Sequence, residues 1–207
     1  MAFANNNPEY TASMWKYFFP SSDCQMNECA RNVPFSALES AILSARNLAP
    51  KKLAKTKWIM VIDFSQHSLN KRAYLINTQS GQSEAYYVSH GWRSDNGQGY
   101  ATMFSNNPSS YMSSLGLYSM GGIYSGKHGL SLILNGLEAT NSNAKTRKII
   151  VHGADYMNEA EMMAQGYGAR SEGCPAFEPM YVKSIINRLK GNGLLYMYAP
   201  REAQQVN

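Results

Sequence analysis

From Trp58 onward the apolar residues of this chain come in runs no longer than a single strand, separated by polar, glycine-bearing turns. That rhythm constrains the fold most. Trp58–Phe64, Ala73–Asn77 and Glu84–Ser89 read as consecutive strands, the last two joined by Gln79-Ser80-Gly81-Gln82, so an antiparallel meander is expected. Leu115–Met120, Gly122–Ser125, Leu130–Leu134 and Lys148–His152 continue the pattern, and Leu194–Tyr198 reads as a closing strand. No window approaches the roughly 18 consecutive apolar residues of a bilayer crossing, so no transmembrane segment is expected.

Helices are expected around this sheet. Phe35, Leu38, Ile42, Ala45 and Leu48 recur at helical spacing until Pro50, with Ser36 and Glu39 spaced for a capping box. Pro179–Leu189 opens on a proline at an allowed first position, carries Val182, Ile185, Ile186 and Leu189 on one face and stops before Gly191. Asn158–Gln165 reads as a helix, and Leu137–Lys145 as a short helix or irregular turn. The aromatic run Met14–Phe19 is expected to dock as a short helix or an arm. The stretch His90–Ser114, rich in Asn, Ser, Gly and Pro, is expected to lie outside the core as a functional loop. With 207 residues there is room for one domain with its own core. The fold class is mainly β with peripheral helices, and the organisation is residues 1–57 as an N-terminal arm and helix packed on a main body of residues 58–207.

Charge and composition exclude several function classes. Nineteen Lys and Arg against fourteen Asp and Glu give a formal charge of +5, scattered along the chain, which suits an anionic polymer without naming one. The basic residues do not alternate with aromatics on one face, so no nucleic-acid partner is expected. Four histidines with no H-E-x-x-H spacing argue against a catalytic metal, and no glycine-rich phosphate loop or other cofactor motif is present. The twelve methionines read as adaptable packing. Residues 1–7 carry neither a basic nor an apolar region of a secretory signal. Cys24 and Cys29 suit either a local disulfide or two free thiols, which leaves Cys174 alone.

The chemistry concentrates in two places. Lys148-Ile149-Ile150-Val151-His152-Gly153 is a strand that ends on a histidine, and Arg170-Ser171-Glu172-Gly173-Cys174-Pro175-Ala176 follows it. A thiol is mostly protonated near neutrality and needs a base or a positive neighbour to act as a nucleophile, which an imidazole at a strand end supplies. Gly173 allows a tight turn before the cysteine, and the amides of Gly173 and Cys174 are candidate oxyanion donors. On these residues alone, a small buried cysteine and a histidine satisfied at a sheet edge explain the same letters, and that is the reading the residues favour before any resemblance is considered.

The order of strand-His152-Gly153 and Ser171-x-Gly173-Cys174 resembles the motif of the L,D-transpeptidase (YkuD-type) catalytic domain, and Ser171–Ala176 is most similar to its divergent murein branch. Val61-Ile62-Asp63-Phe64-Ser65, Val88-Ser89-His90-Gly91, Ala101-Thr102-x-Phe104-Ser105-Asn106-x-Pro108, Ser113-Ser114-Leu115-Gly116 and Gly126-Lys127-His128-Gly129-x-Ser131-Leu132 extend the likeness from about Trp58 to Tyr198. The resemblance implies a β-sandwich or barrel with peripheral helices and a cysteine acyltransferase of peptidoglycan tetrapeptide stems, in the periplasm, the cell envelope or secreted. In it Cys174 forms a thioester, His152 is its base, oriented through the carbonyl of Gly153, and Ser171 and Gly173 shape the nucleophile loop. Hydrolysis by the same acyl-enzyme, as an L,D-carboxypeptidase or endopeptidase, and a non-catalytic wall-binding module are the alternatives.

Two departures from the family pattern stand out. Glu172 precedes Gly173 where the family has histidine, and Ala176 stands where it often has Arg or Asn. An ionised Glu172 accepts hydrogen bonds only and suits an amine better than an oxyanion. His128 is the candidate replacement imidazole, Arg170 the candidate fork for a stem carboxylate, and Tyr124 and Lys127 are expected in the same groove. His90 and Arg93 are expected at its rim.

Overall fold

The computed structural model describes residues 8–25, 28–200 and 204–205, so the expectation for residues 1–7 lies outside the described residues. Helices α1 (Pro8–Phe18), α2 (Phe35–Leu48) and α3 (Pro50–Leu53) come first. Strands β1 (Trp58–Asp63), β2 (Ala73–Asn77), β3 (Ser83–Tyr86), β4 (His90–Gly91), β5 (Met103–Phe104), β6 (Gly116–Gly126), β7 (Gly129–Gly136) and β8 (Ile150–Gly153) follow. The order ends with α4 (Glu159–Gln165), β9 (Arg170–Ser171), β10 (Ala176–Phe177), α5 (Pro179–Leu189), β11 (Leu194–Tyr198) and β12 (Gln204–Gln205).

Eight strands form one mixed sheet in the order β10-β8-β7-β6-β11-β1-β2-β3. β1, β2 and β3 are the expected antiparallel meander. The sheet curls until its two ends nearly close into a barrel. Tyr86 on one edge strand and Phe177 on the other bring their ring centroids within 6.4 Å, edge to face, and just beyond β3 the Ser89 N–H donates to the Ala176 carbonyl at 3.0 Å. Such closure removes the open edges that invite strand pairing with other chains.

Because successive residues of a strand face opposite sides, each central strand feeds two cores. Met60 and Ile62 of β1, with Leu195 and Met197 of β11, face inward with Val182, Ile185, Ile186 and Leu189 of α5. Ile59, Val61 and Leu194 face the other way, against Ala12 and Trp15 of α1 and Leu38 and Ile42 of α2. The N-terminal helices therefore cover a sheet face that would otherwise meet water. Trp15 is fully buried there, its indole N–H donating to Ser22 Oγ at 3.1 Å, and the Cys24–Cys29 disulfide joins the same cluster. The pairing of the first two cysteines, open in the sequence, is settled as a bridge.

Several expectations are corrected. No capping box forms at α2: the helix begins one residue ahead of Ser36, with Pro34 at the cap, so Ser36 and Glu39 lie inside it; Leu48 is exposed rather than packed. Leu115–Met120 and Gly122–Ser125 are one long strand, β6, with an irregularity between Met120 and Ile123. β11 does not close the sheet but lies at its centre, parallel to β1 and antiparallel to β6. The polar stretch 90–114 is not outside the core: His90, Ser94, Phe104, Ser105, Ser113 and Ser114 are buried. Their hydroxyls take up backbone groups, Ser113 Oγ accepting from Gly91 N–H and Ser94 Oγ from Ser113 N–H, both at 3.0 Å, which is how polar side chains become core.

Trp15→Ala should destabilise the whole fold by about 3–5 kcal/mol, the range for truncating a buried aromatic. Thermal unfolding should show one transition lowered on the order of 10 °C; a melting temperature unchanged within a degree would mean that α1 is an appendage rather than part of the core.

Candidate functional site

A cavity of about 680 Å³ opens at the seam where the ends of the sheet meet, and its lining includes Tyr124, Lys127, His128, Arg147, Lys148, His152, Arg170, Ser171, Glu172 and Cys174. Eight of the ten candidate residues line it; Gly153 and Gly173 stand directly behind, as backbone supports. These lining residues come from the β6–β7 hairpin, the turn before β8, the end of β8, and β9 with the connection to β10, and the 92–111 segment adds Trp92, Pro108, Ser109 and Tyr111.

His152 is the third residue of β8 and nearly buried. Its Nδ1 lies 2.9 Å from the carbonyl oxygen of Gly153, which can only accept, so Nδ1 carries the hydrogen and Nε2 is left with a free lone pair. Burial, with a smaller contribution from the neighbouring His128, holds its pKa below the ordinary histidine value, so the ring is neutral at pH 7. His128, at the tip of the β6–β7 hairpin, places its ring centroid 4.5 Å from that of His152.

Cys174 is the one free cysteine and is partly exposed. Its loop is built by hydroxyl clamps. The Cys174 carbonyl accepts from Ser171 Oγ at 2.6 Å and from Ser89 Oγ at 3.1 Å, while Ser89 Oγ accepts from Ala176 N–H at 3.0 Å. Gly173 adopts φ +118°, and a Cβ there would meet the Met112 carbonyl at 2.5 Å, so both the turn and the close approach require glycine. One expectation is corrected here: the Gly173 N–H is committed to Ser171 Oγ at 3.1 Å, which removes it as an oxyanion donor.

The Cys174 thiol donates to the Lys148 carbonyl at 3.6 Å rather than to His152. Lys148 has φ +56°, a left-handed conformation uncommon outside glycine, in the turn that leads into β8. Burial pushes the thiol up to about 11, offset in part by the Ile150 amide and the Arg147 guanidinium. At rest the cavity is therefore lined by a neutral thiol and a neutral imidazole.

Arg147 was not singled out by sequence reasoning, since Lys145-Thr146-Arg147-Lys148 reads as a solvated charge run. In the structure its guanidinium donates to the carbonyls of Ser105 at 2.7 Å and Met112 at 2.5 Å and lines the cavity near Cys174. Ser89 was visible only as a letter of the Val88–Gly91 motif, with no role attached.

His90 is also corrected: it is fully buried, not at the rim. Its Nδ1 lies 2.6 Å from an Arg72 nitrogen, which can only donate, so Nδ1 accepts and the Nε2–H donates to Asp95 Oδ2 at 2.9 Å. The same oxygen lies 3.2 Å from Arg170 Nε. A chain of side chains thus runs from Arg72, just ahead of β2, to Arg170 on β9, three residues upstream of Gly173. Burial lowers the His90 pKa to about 4, which keeps it neutral.

Two measurements follow. A histidine depressed from 6.5 to about 4 leaves the unfolded chain binding more protons between those values, so stability is full above pH 6.5 and declines on acidification. His90 alone should account for on the order of 3 kcal/mol of that decline, and chemical denaturation at pH 7 and pH 4.5 should find the slope flattened in His90→Gln. Alkylation of Cys174 by iodoacetamide should be slow at pH 7 and still rising at pH 10, with Arg147→Gln moving the profile to higher pH; coincident profiles would remove Arg147 from the thiol's electrostatics.

The model of the L,D-transpeptidase catalytic domain matches residues 29–198. Among solved structures, an L,D-transpeptidase from Mycobacterium tuberculosis H37Rv is 14% identical with a TM-score of 0.40, covering 69% of this chain and 58% of that one. L,D-transpeptidase 3 from the same species is 10% identical with a TM-score of 0.44, covering 69% and 61%, and Bd1075 of Bdellovibrio bacteriovorus is 13% identical with a TM-score of 0.42, covering 69% and 48%. The chain thus spans less than two thirds of the length of these structures. No curated protein matches it. Among the described residues no helix is long and apolar enough to cross a membrane. The match over residues 29–198 covers well over half of the sequence, and on it this chain belongs to the L,D-transpeptidase catalytic-domain family.

Proposed function

We propose that the chain is a cysteine acyltransferase of peptidoglycan tetrapeptide stems, acting in the cell envelope or outside it, with residues 58–207 forming the catalytic body and residues 1–57 its packed N-terminal part. The observation that carries the reading is the convergence of Cys174, the free Nε2 side of His152, and the cations Lys127, Arg147 and Arg170 on one cavity. In the proposed cycle the thiol turns from the Lys148 carbonyl toward His152 Nε2, which takes its proton as sulfur attacks the stem carbonyl. The neutral resting pair makes this transfer concerted with attack rather than prior to it. The Cys174 N–H, without a hydrogen-bond partner among the described residues, is the amide left for the oxyanion, and Arg147 supplies positive charge that the family often places at the position of Ala176.

Collapse of the tetrahedral intermediate returns the proton from His152 to the departing amine of the terminal D-amino acid and leaves a Cys174 thioester. An acceptor amine then attacks; His152 takes its proton and returns it to the sulfur as the thiol leaves. Arg170 offers a fork for a stem carboxylate, and the exposed Glu172 at the mouth suits the ammonium of an acceptor. Water as acceptor gives the L,D-carboxypeptidase or endopeptidase outcome by the same steps.

Incubation with a disaccharide-tetrapeptide, with and without glycine or a second stem, followed by mass spectrometry should show an adduct on Cys174 and an exchanged or cross-linked product. Cys174→Ala should lose both. Shortened stems alone would convert the reading to a hydrolase, and binding without adduct or product by the folded protein would make it a wall-binding module.

A further inference from the structure

The cavity lining also holds an aromatic pair that the proposed chemistry does not use. Trp92, in a short turn after β4, is 45% exposed, and Tyr111 is 36% exposed. Their ring centroids are 5.5 Å apart with planes inclined by 35°, and both rings line the cavity that contains Cys174. The Arg93 guanidinium lies 5.1 Å from the Trp92 ring centre and 5.8 Å from that of Tyr111.

This pair is built rather than left over. Tyr111 has φ +58° and Ser109 φ +58°, and a bulky residue in the left-handed region is held there only when its surroundings dictate it, at about 1–3 kcal/mol each. The surroundings are visible. Arg93 N–H donates to the Tyr111 carbonyl at 3.3 Å, and a Cβ at Gly91 would collide with that same oxygen, so the two segments touch backbone to backbone. The next residue, Met112, has its carbonyl gripped by Arg147 and packed against Gly173. The strained segment therefore ties the exposed rings to the nucleophile loop with little freedom between them.

We infer that Trp92 and Tyr111 form a saccharide platform, a subsite for an N-acetylated amino sugar attached to the peptide that reaches Cys174. The inference rests on the proposed peptidoglycan reading and extends it from the stem to the glycan. A pyranose ring carries C–H groups on its faces and hydroxyl and amide groups around its edge. Flat aromatic surfaces take the first with little loss of side-chain entropy, and Arg93 beside them offers donors for the second. The platform predicts that the enzyme distinguishes a stem still carrying its sugar from the free peptide.

The test is the ratio of kcat/KM for the disaccharide-tetrapeptide to that for the free tetrapeptide, measured on the parent, Trp92→Ala and Trp92→Tyr. The parent should favour the sugar-bearing substrate by about tenfold, Trp92→Ala should reduce the ratio about three- to tenfold, and Trp92→Tyr should restore most of it. A parent ratio near one, or equal losses on both substrates in Trp92→Ala, would overturn the platform. If neither substrate turns over, the acyltransferase reading fails separately. Saturation-transfer NMR with the peptide-free disaccharide then decides: binding lost in folded Trp92→Ala sustains the platform, whereas no binding, or binding unchanged by the substitution, ends it.

Discussion

The Ser89 hydroxyl stands at the point on which the rest of the site depends. It donates to the Cys174 carbonyl and accepts from the Ala176 N–H, while the Ser89 N–H donates to the Ala176 carbonyl. These bonds draw the chain leaving β3 against β10, the opposite end of the sheet. Closure of the sheet and placement of the proposed nucleophile are thus one event. A residue on a seam is held by both ends of the sheet, and the seam is also where a curled sheet leaves room for a cavity.

Behind the seam runs the series Arg72, His90, Asp95 and Arg170, buried from Arg72 to the Asp95 carboxylate and part-exposed at Arg170. Burial of charge is costly unless partners and hydrogen bonds offset it. Here the neutral His90 connects a cation to an anion by accepting on one nitrogen and donating on the other. A lysine or glutamine at 72 would not reproduce the planar fork that reaches the Gln66 and Val88 carbonyls and His90 together. The series fixes the position of β9, and β9 carries Ser171, the second clamp on the Cys174 carbonyl.

Much of the secondary structure was legible because it rests on local periodicity. The apolar face of α5 and the alternation along β1 and β2 need no knowledge of what they pack against. The errors fall where distant residues decide. The chain order of β11 gives no hint that it sits between β1 and β6, because α5 carries it across the sheet to pair with partners far away in sequence. The serines of 90–114 look like surface residues until backbone groups elsewhere take up their hydroxyls.

The site divides the same way. The residue types of the candidate chemistry, a cysteine after a glycine turn and a histidine ending a strand, are properties of short segments and stand in the sequence by themselves, as does the family motif they compose. Arg147 beside the thiol, His90 inside rather than at the rim, the loss of the Gly173 amide to Ser171, and the left-handed Lys148 whose carbonyl holds the resting thiol were decided only by the tertiary structure. Each depends on where a side chain or carbonyl from one segment ends relative to a polar group from another. Those distances are set by how the sheet curls and closes, which no local pattern encodes.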